Sequence, residues 1–170
     1  IAGADRDTHA AATFAREALR FDRRNKELIE RAFVASLSNG DMREAFGIGE
    51  RLAKLDPKNG LVNLAMGARS FKNRQFANAR TEISRGGVGR QRDLTVTLLT
   101  AWSYAGAGDS RRALDTLDKI RDERLASFRD YHMGLIADIA GNTAEATKRL
   151  KAAYEAEKTS LRILDSWARF

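Results

Sequence analysis

The chain has 170 residues, of which 43% are hydrophobic and 31% charged, and its formal net charge is +7. These values fit one globular domain or one stretch of a repeat array, and they exclude a chain that is disordered throughout. No apolar run approaches the roughly 20 residues that span a bilayer, and the lack of cysteine excludes disulfides, thiolate metal sites and cysteine nucleophiles. A single proline among abundant alanine, leucine, arginine and glutamate predicts an all-α fold.

An internal repeat organises the chain. Alanines recur at a spacing of 34 or 33 residues, and the segments around them come into register. These alanines are Ala11, Ala45, Ala79, Ala113 and Ala146. Each lies in an apolar segment of helical period that is preceded by another, so the predicted unit is a helical hairpin. The first helices of the hairpins are expected to begin near Lys26, Gly60, Leu94, Ser127 and Leu161.

These spacings divide the sequence into a single array of a partial repeat (1–25), four repeats (26–59, 60–93, 94–126 and 127–160) and a partial repeat (161–170). Residues 1–5 are expected to be the tail of an earlier helix, and the sequence to be part of a longer array. Open array ends leave self-association as an alternative. Glycine followed by Asp or Asn separates the two helices of three units, because glycine ends a helix and the polar side chain caps the next. These pairs are Gly40-Asp41, Gly108-Asp109 and Gly141-Asn142.

The chain resembles the tetratricopeptide repeat (TPR) family, whose 34-residue period carries W-x2-L-G-x2-Y in the first helix and A-x3-F then P in the second. The small slot of the first helix holds Gly67, Ala101 and Gly134, and Tyr104 keeps the tyrosine slot. Phe33 occupies the small slot of its own unit, which is therefore expected to pack through Ala32. The resemblance extends to longer proteobacterial TPR proteins and implies a right-handed superhelix (α-solenoid) of antiparallel helix hairpins.

In the TPR family the first helices line a concave groove in which peptides or partner helices dock. The resemblance implies an apolar and aromatic groove in this chain. Its residues would be Val34, Leu37, Leu61, Leu64, Ala68, Phe71, Leu98, Trp102, Phe128, Tyr131 and Leu135. A core role stays open for Trp102 and Phe128, since apolar residues at helical spacing also pack between helices. The Lys, Asn and Arg residues of carboxylate-clamp TPRs are absent at matching places, which predicts no binding of chaperone tails.

Most of the net positive charge lies between residues 69 and 92, a segment with seven basic residues and a single acidic one, Glu82. The basic residues are Arg69, Lys72, Arg74, Arg80, Arg85, Arg90 and Arg92. A basic face attracts acidic partners of any kind. A base-stacking platform requires aromatic side chains that interleave with the charges, and none is assigned to this basic face. A solvated face is therefore the simpler hypothesis, and nucleic acid is the less favoured partner.

The sequence offers little for catalysis. His9 and His132 have no paired spacing that would bind a metal. The segment "RGGVGRQR" could cradle a phosphate with its N–H groups, but it lacks the Lys-Ser/Thr of a P-loop, and a solvated connector is the alternative. We therefore predict a non-catalytic scaffold that binds a peptide or partner protein and needs no cofactor or metal. Electrostatic docking of an acidic partner or nucleic acid through residues 69–92 is the alternative. The compartment, cytoplasmic or periplasmic, stays open.

Overall fold

The computed structural model of the protein describes residues 2–86 and 94–170, with side chains from Asp7 onward. Within these residues the chain forms ten α-helices, one short 3-10 helix (Glu123–Leu125) and no β-strand. The helices are α1 (Ala2–Phe21), α2 (Lys26–Ser38), α3 (Met42–Leu55), α4 (Gly60–Lys72), α5 (Phe76–Arg85), α6 (Leu94–Gly106), α7 (Ser110–Leu117), α8 (Ala126–Ile139), α9 (Thr143–Ala156) and α10 (Leu161–Arg169). The predicted all-α class is confirmed.

Consecutive helices pack in the order expected of hairpins: α2 against α3, α6 against α7, and α8 against α9. The helices that open the hairpins begin within one residue of the expected positions; the one difference is Ala126 in place of Ser127. Helix α1 is a single helix of 20 residues. The expected separate tail in residues 1–5 is therefore wrong, since Ala2 to Asp5 continue into α1 without a break.

Buried alanines mark the repeat in each hairpin. Ala45, Ala79, Ala113 and Ala146 are fully buried. In α1 the buried alanine is Ala12, whereas Ala11 is exposed and lines a surface depression. The choice of Ala11 as the first anchor is thus wrong. Ala10, Ala11 and Ala12 are identical neighbours, so the repeat spacing alone cannot tell which of them faces the core.

The predicted glycine turns have the expected backbone. Gly40, Gly108 and Gly141 adopt φ values of 81°, 80° and 74°, in the left-handed region that favours glycine. Asp109 and Asn142 then accept the backbone N–H three residues on, as caps do. Asp41 makes no such bond, because its carboxylate instead accepts a hydrogen bond from the side-chain amide of Asn39.

The chain divides into two compact units, and the division falls within α4 and α5. Unit 1 comprises residues 1–69 and 81–88, and its core includes Phe33 and Ala32, both inaccessible to solvent. Phe33 fits in the small slot because Gly49 of α3 lies opposite. A Cβ atom on Gly49 would stand 2.9 Å from the Phe33 ring. In this hairpin the first helix thus carries the large residue, Phe33, and the second helix carries the small one, Gly49.

Unit 2 comprises residues 70–80 and 89–170 and holds the two cores that support the site described below. One lies among α6, α7 and α8, and its buried residues include Ala101, Leu117 and Met133. The other lies among α8, α9 and α10 and includes Leu150 and Ile163. Both cores therefore share α8.

Candidate functional site

An aromatic cluster in unit 2 brings together side chains of α6 and α8. The ring centroids of Trp102 and Phe128 lie 6.0 Å and 4.5 Å from that of His132, each in an edge-to-face arrangement. All three side chains are partly buried and partly exposed to solvent. We call Trp102, Phe128 and His132 the aromatic surface. Rings held edge to face by packed helices form a rigid apolar contact area.

His132 is neutral in this cluster. The indole nitrogen of Trp102 is a donor only, and it donates to Nδ1 of His132 over 3.2 Å. The imidazole proton therefore resides on Nε2. Burial, assisted by the positive charge of Arg162, lowers the pKa of His132 from 6.5 to about 4. The aromatic surface thus carries no charge at neutral pH.

The sequence shows no metal-binding spacing for His132 and does not connect this residue with Trp102. The two residues are 30 positions apart, a little less than one repeat. Residues about one repeat apart on first helices come close when hairpins stack. The spacing thus could have indicated that the two side chains lie near each other, although it could not predict a hydrogen bond.

Three other predicted groove residues of unit 2 take part in its cores. Tyr131 is only 8% exposed, and its hydroxyl forms a 3.1 Å hydrogen bond with the hydroxyl of Ser166 on α10. Leu135 packs against the same core, and Leu98 packs against the core of α6, α7 and α8. The Tyr131 ring also contacts His132 of the aromatic surface, with ring centroids 5.1 Å apart, and the two leucines stay partly accessible.

The predicted groove residues of unit 1 are more exposed. Leu61 is 43% exposed and Val34 41% exposed, Ala68 is also exposed, and Leu37 and Leu64 are partly buried. Val34 lines the same depression as Ala11. These side chains belong to α2 and α4, which are first helices of their hairpins, as expected.

A small apolar cavity of about 290 Å³ opens beside Trp102 at the ends of α4, α6 and α8, and we call it the edge pocket. Phe71 and Phe76 form one wall, with ring centroids 5.5 Å apart in an edge-to-face arrangement. The complete lining is Phe71, Lys72, Arg74, Phe76, Trp102, Ala105, Gly106 and Ile139. Gly106 makes room for Phe76, since a Cβ atom there would lie 2.5 Å from the ring. Ile139 is 69% exposed.

Two of the predicted basic residues are engaged in contacts within their own units. Arg69 of unit 1 pairs with Glu50 at 2.8 Å. Arg80 of unit 2 donates to the backbone carbonyl of Ser103 and lies over the ring of Tyr104, 4.4 Å from its centroid. These guanidinium groups are partly buried. They contribute less to a charged surface than the sequence alone suggests.

The remaining basic residues differ in their surroundings. Lys72 and Arg74 are exposed at the edge pocket, interleaved with Phe71 and Phe76. Arg85 is exposed in unit 1. Arg90 and Arg92 lie outside the described residues, as does most of the "GGVG" segment. The structure thus joins part of the basic region to aromatic side chains, so the expectation of a basic face without interleaved aromatic residues is wrong at Lys72 and Arg74.

In the described part of the chain, no group of three or more His, Asp or Glu side chains is arranged to hold a metal ion. His9 is exposed on α1. None of the helices in residues 2–86 and 94–170 is both long and apolar enough to cross a bilayer.

Comparison with known proteins identifies solved structures of similar fold. No family model matches the chain, and no curated protein matches its sequence. A crystal structure of MamA has a TM-score of 0.75 and 18% identity, with 92% of each chain covered. MamA 41-end from Desulfovibrio magneticus RS-1 has a TM-score of 0.72 and 17% identity, covering 91% of this chain and 88% of that one.

The thermophilic TPR protein TTC0263 of Thermus thermophilus has a TM-score of 0.60 and 17% identity. The match covers 95% of this chain and 89% of that chain. At such low identity these similarities establish the fold, and the fold agrees with the repeat of helical hairpins in the sequence. The chain has a TPR-like, all-α solenoid fold.

Proposed function

We propose that the chain is a non-catalytic scaffold that binds a peptide or a segment of a partner protein on the aromatic surface. The observation that carries this proposal is the position of Trp102, Phe128 and His132 as partly exposed rings on two first helices. The TPR resemblance implies partner binding on that set of helices. Exposed aromatic side chains on a rigid support are typical binding hot spots.

The chemistry of His132 favours binding over catalysis. Its Nδ1 atom is already hydrogen-bonded to Trp102, so that nitrogen is not free to take a proton from a substrate. The Nε2–H group has no acceptor among the described residues and can donate to a backbone carbonyl of the bound segment. Because the imidazole is neutral, covering it with a partner leaves no buried charge.

The alternative of electrostatic docking through residues 69–92 is less well supported as a separate function. Arg69 and Arg80 are engaged within their own units. Lys72 and Arg74 line the same pocket as Trp102. Their charge is therefore better explained as an extension of the aromatic surface.

Phage-display selection of random peptides on the immobilised protein tests the proposal, followed by affinity measurements on the selected peptides. Phe128→Ala is the diagnostic variant, because Phe128 belongs to none of the described cores. We expect it to weaken binding by at least about tenfold, as loss of a hot spot does. Phe14→Ala is the matched control, since Phe14 is 74% exposed in unit 1.

Unchanged affinity of the Phe128→Ala variant for every selected peptide would contradict the proposal. Light scattering of the free protein completes the experiment, because a second copy of the chain could occupy the aromatic surface. A dimer that the Phe128→Ala exchange dissociates would indicate self-association in place of peptide binding.

A further inference from the structure

We propose that the edge pocket binds an apolar side chain of the partner segment and that Lys72 and Arg74 pair with a carboxylate next to it. The occupant is thus a peptide in which Leu or a residue of similar size is flanked by Glu or Asp. This inference rests on the proposed function, because Trp102 belongs both to the aromatic surface and to the edge pocket.

The shape and lining of the pocket suit one apolar side chain. Its volume of about 290 Å³ lies at the lower limit of small-molecule cavities, which start near 300 Å³. Phe71, Phe76 and Trp102 provide aromatic walls. Burial of an apolar side chain against such walls removes apolar surface from water on both molecules, which is the main source of affinity in peptide recognition.

The positive charge at the rim of the edge pocket determines which residues can flank the apolar side chain of the bound peptide. Lys72 and Arg74 are exposed, and within the described residues neither pairs with a carboxylate. Other basic residues of the same region, such as Arg69 with Glu50, are paired. Two unpaired cations beside an apolar cavity attract an acidic segment and repel a basic one.

The backbone of Arg74 provides independent support. Arg74 has a φ of 59° and is the one residue other than glycine with a positive φ in the described chain. It occupies the turn position that glycine holds at Gly40, Gly108 and Gly141. The turn hydrogen bonds are also the same: the N–H of Arg74 donates to Phe71 at 2.9 Å, as that of Gly40 donates to Leu37 at 3.1 Å.

Glycine at position 74 would therefore make the folded chain more stable than arginine does. A side chain with a Cβ atom is disfavoured in the left-handed region, and residues held there against their preference cluster at functional sites. The Arg74 side chain lies at the pocket rim and forms no ion pair with an acidic side chain of the described residues. The guanidinium is thus placed to recognise a ligand at the rim of the edge pocket.

Fluorescence anisotropy with designed probes tests the inference. The main probe is a fluorescein-labelled Gly/Ser peptide with a central Leu between glutamates. One matched peptide replaces the glutamates by lysines, and another replaces Leu by Ser. We expect the Leu-Glu peptide to bind the wild-type chain, and both matched peptides to bind at least about tenfold more weakly.

Arg74→Gly and Lys72→Gln are the diagnostic variants, and Lys148→Gln is the control because Lys148 is exposed on α9 of the same unit. We expect each diagnostic variant to weaken binding of the Leu-Glu peptide about tenfold and the control to leave it unchanged. The urea midpoint of the Arg74→Gly variant should rise, because glycine relieves the strain at this turn. A loss of binding in this variant therefore cannot be caused by unfolding.

Several results would overturn the inference. These are no binding of the Leu-Glu peptide, equal binding of the lysine peptide, unchanged affinity in Arg74→Gly, or tighter binding of a labelled oligothymidine than of the Leu-Glu peptide. The two proposals remain distinguishable. Peptides from the phage selection that lose affinity in Phe128→Ala but not in Arg74→Gly would support the aromatic surface and refute the edge pocket.

Discussion

The indole N–H of Trp102 donates a hydrogen bond to Nδ1 of His132 and so joins α6 to α8 across 3.2 Å. Protonation of Nδ1 removes the acceptor, so this bond exists only while the imidazole is neutral. Burial and the charge of Arg162 keep it neutral by lowering the pKa of His132 to about 4.

The free energy of unfolding should therefore depend on His132 below pH 6.5. The unfolded chain binds a proton at the ordinary pKa of 6.5 and the folded chain only near 4, so stability falls as the pH decreases between these two values. The slope is at most about 1.4 kcal/mol per pH unit. Urea unfolding of the wild-type chain and of His132→Gln over this range measures the effect. Parallel curves for the two proteins would show that His132 does not contribute.

Gly134 should not tolerate even a methyl group. A Cβ atom there would stand 2.7 Å from Cγ of Leu150 and 3.0 Å from its backbone nitrogen, in the small slot between α8 and α9. We expect Gly134→Ala to destabilise the chain by about 1–3 kcal/mol through overpacking. Gly47→Ala is the control, because Gly47 lies in α3 with open space around it. That exchange should stabilise by about 0.5–1 kcal/mol through helix propensity, and similar effects of both exchanges would contradict the close contact.

Arg74→Gly should raise the free energy of unfolding by about 1 kcal/mol, because glycine adopts the left-handed backbone without strain. Gly108→Ala should lower it by a similar amount, since Gly108 has a φ of 80° at the equivalent turn. Chemical denaturation of the two variants checks both signs. A stability loss in Arg74→Gly would mean that the arginine side chain supports the fold and that strain does not dominate at this turn.

Asp130 should be important for stability although it is a charged residue. Its carboxylate accepts a hydrogen bond from Arg149 at 2.7 Å and lies 3.7 Å from Nε of Arg129, and all three side chains are largely buried. Asp130→Asn leaves Arg129 without its acidic partner and Arg149 with Glu145 alone, so we expect a loss of about 2 kcal/mol.

Asp165→Asn provides the comparison, because the pair of Asp165 with Arg169 is exposed. Exposed pairs contribute about 0–1 kcal/mol. Thermal or urea unfolding of the two variants should therefore separate them clearly. Equal small effects would mean that water compensates for the loss at Asp130.

The period of the sequence predicted most of the fold, because stacking of hairpins requires a fixed spacing of small residues. It predicted the helix starts, and the Gly-Asp and Gly-Asn pairs predicted the backbone at Gly40, Gly108 and Gly141. It could not choose between Ala11 and Ala12, since both are small and adjacent. It also could not foresee that Gly49 would make room for Phe33, because that exchange depends on contacts across two helices.

The candidate site was predicted less well than the fold. Trp102, Phe128 and Tyr131 were all expected in the groove, but Tyr131 is buried with its hydroxyl bonded to Ser166 of α10, and Trp102 packs partly against the core of α6, α7 and α8. Whether an apolar residue of a first helix faces solvent or a neighbouring helix depends on crossing geometry that one sequence does not contain. The strained backbone of Arg74 likewise becomes visible only in three dimensions.

The shared position of Trp102 makes the indole a natural optical reporter. Its ring borders the edge pocket, while its N–H is held by the imidazole, so an occupant would displace water from the ring without breaking that bond. The emission of Trp102 should then shift to shorter wavelength on ligand addition, with no label attached. Trp167 is the second tryptophan of the chain, and its stacked partner is Phe170. Replacing it with phenylalanine would leave a single tryptophan, located where recognition is proposed to occur.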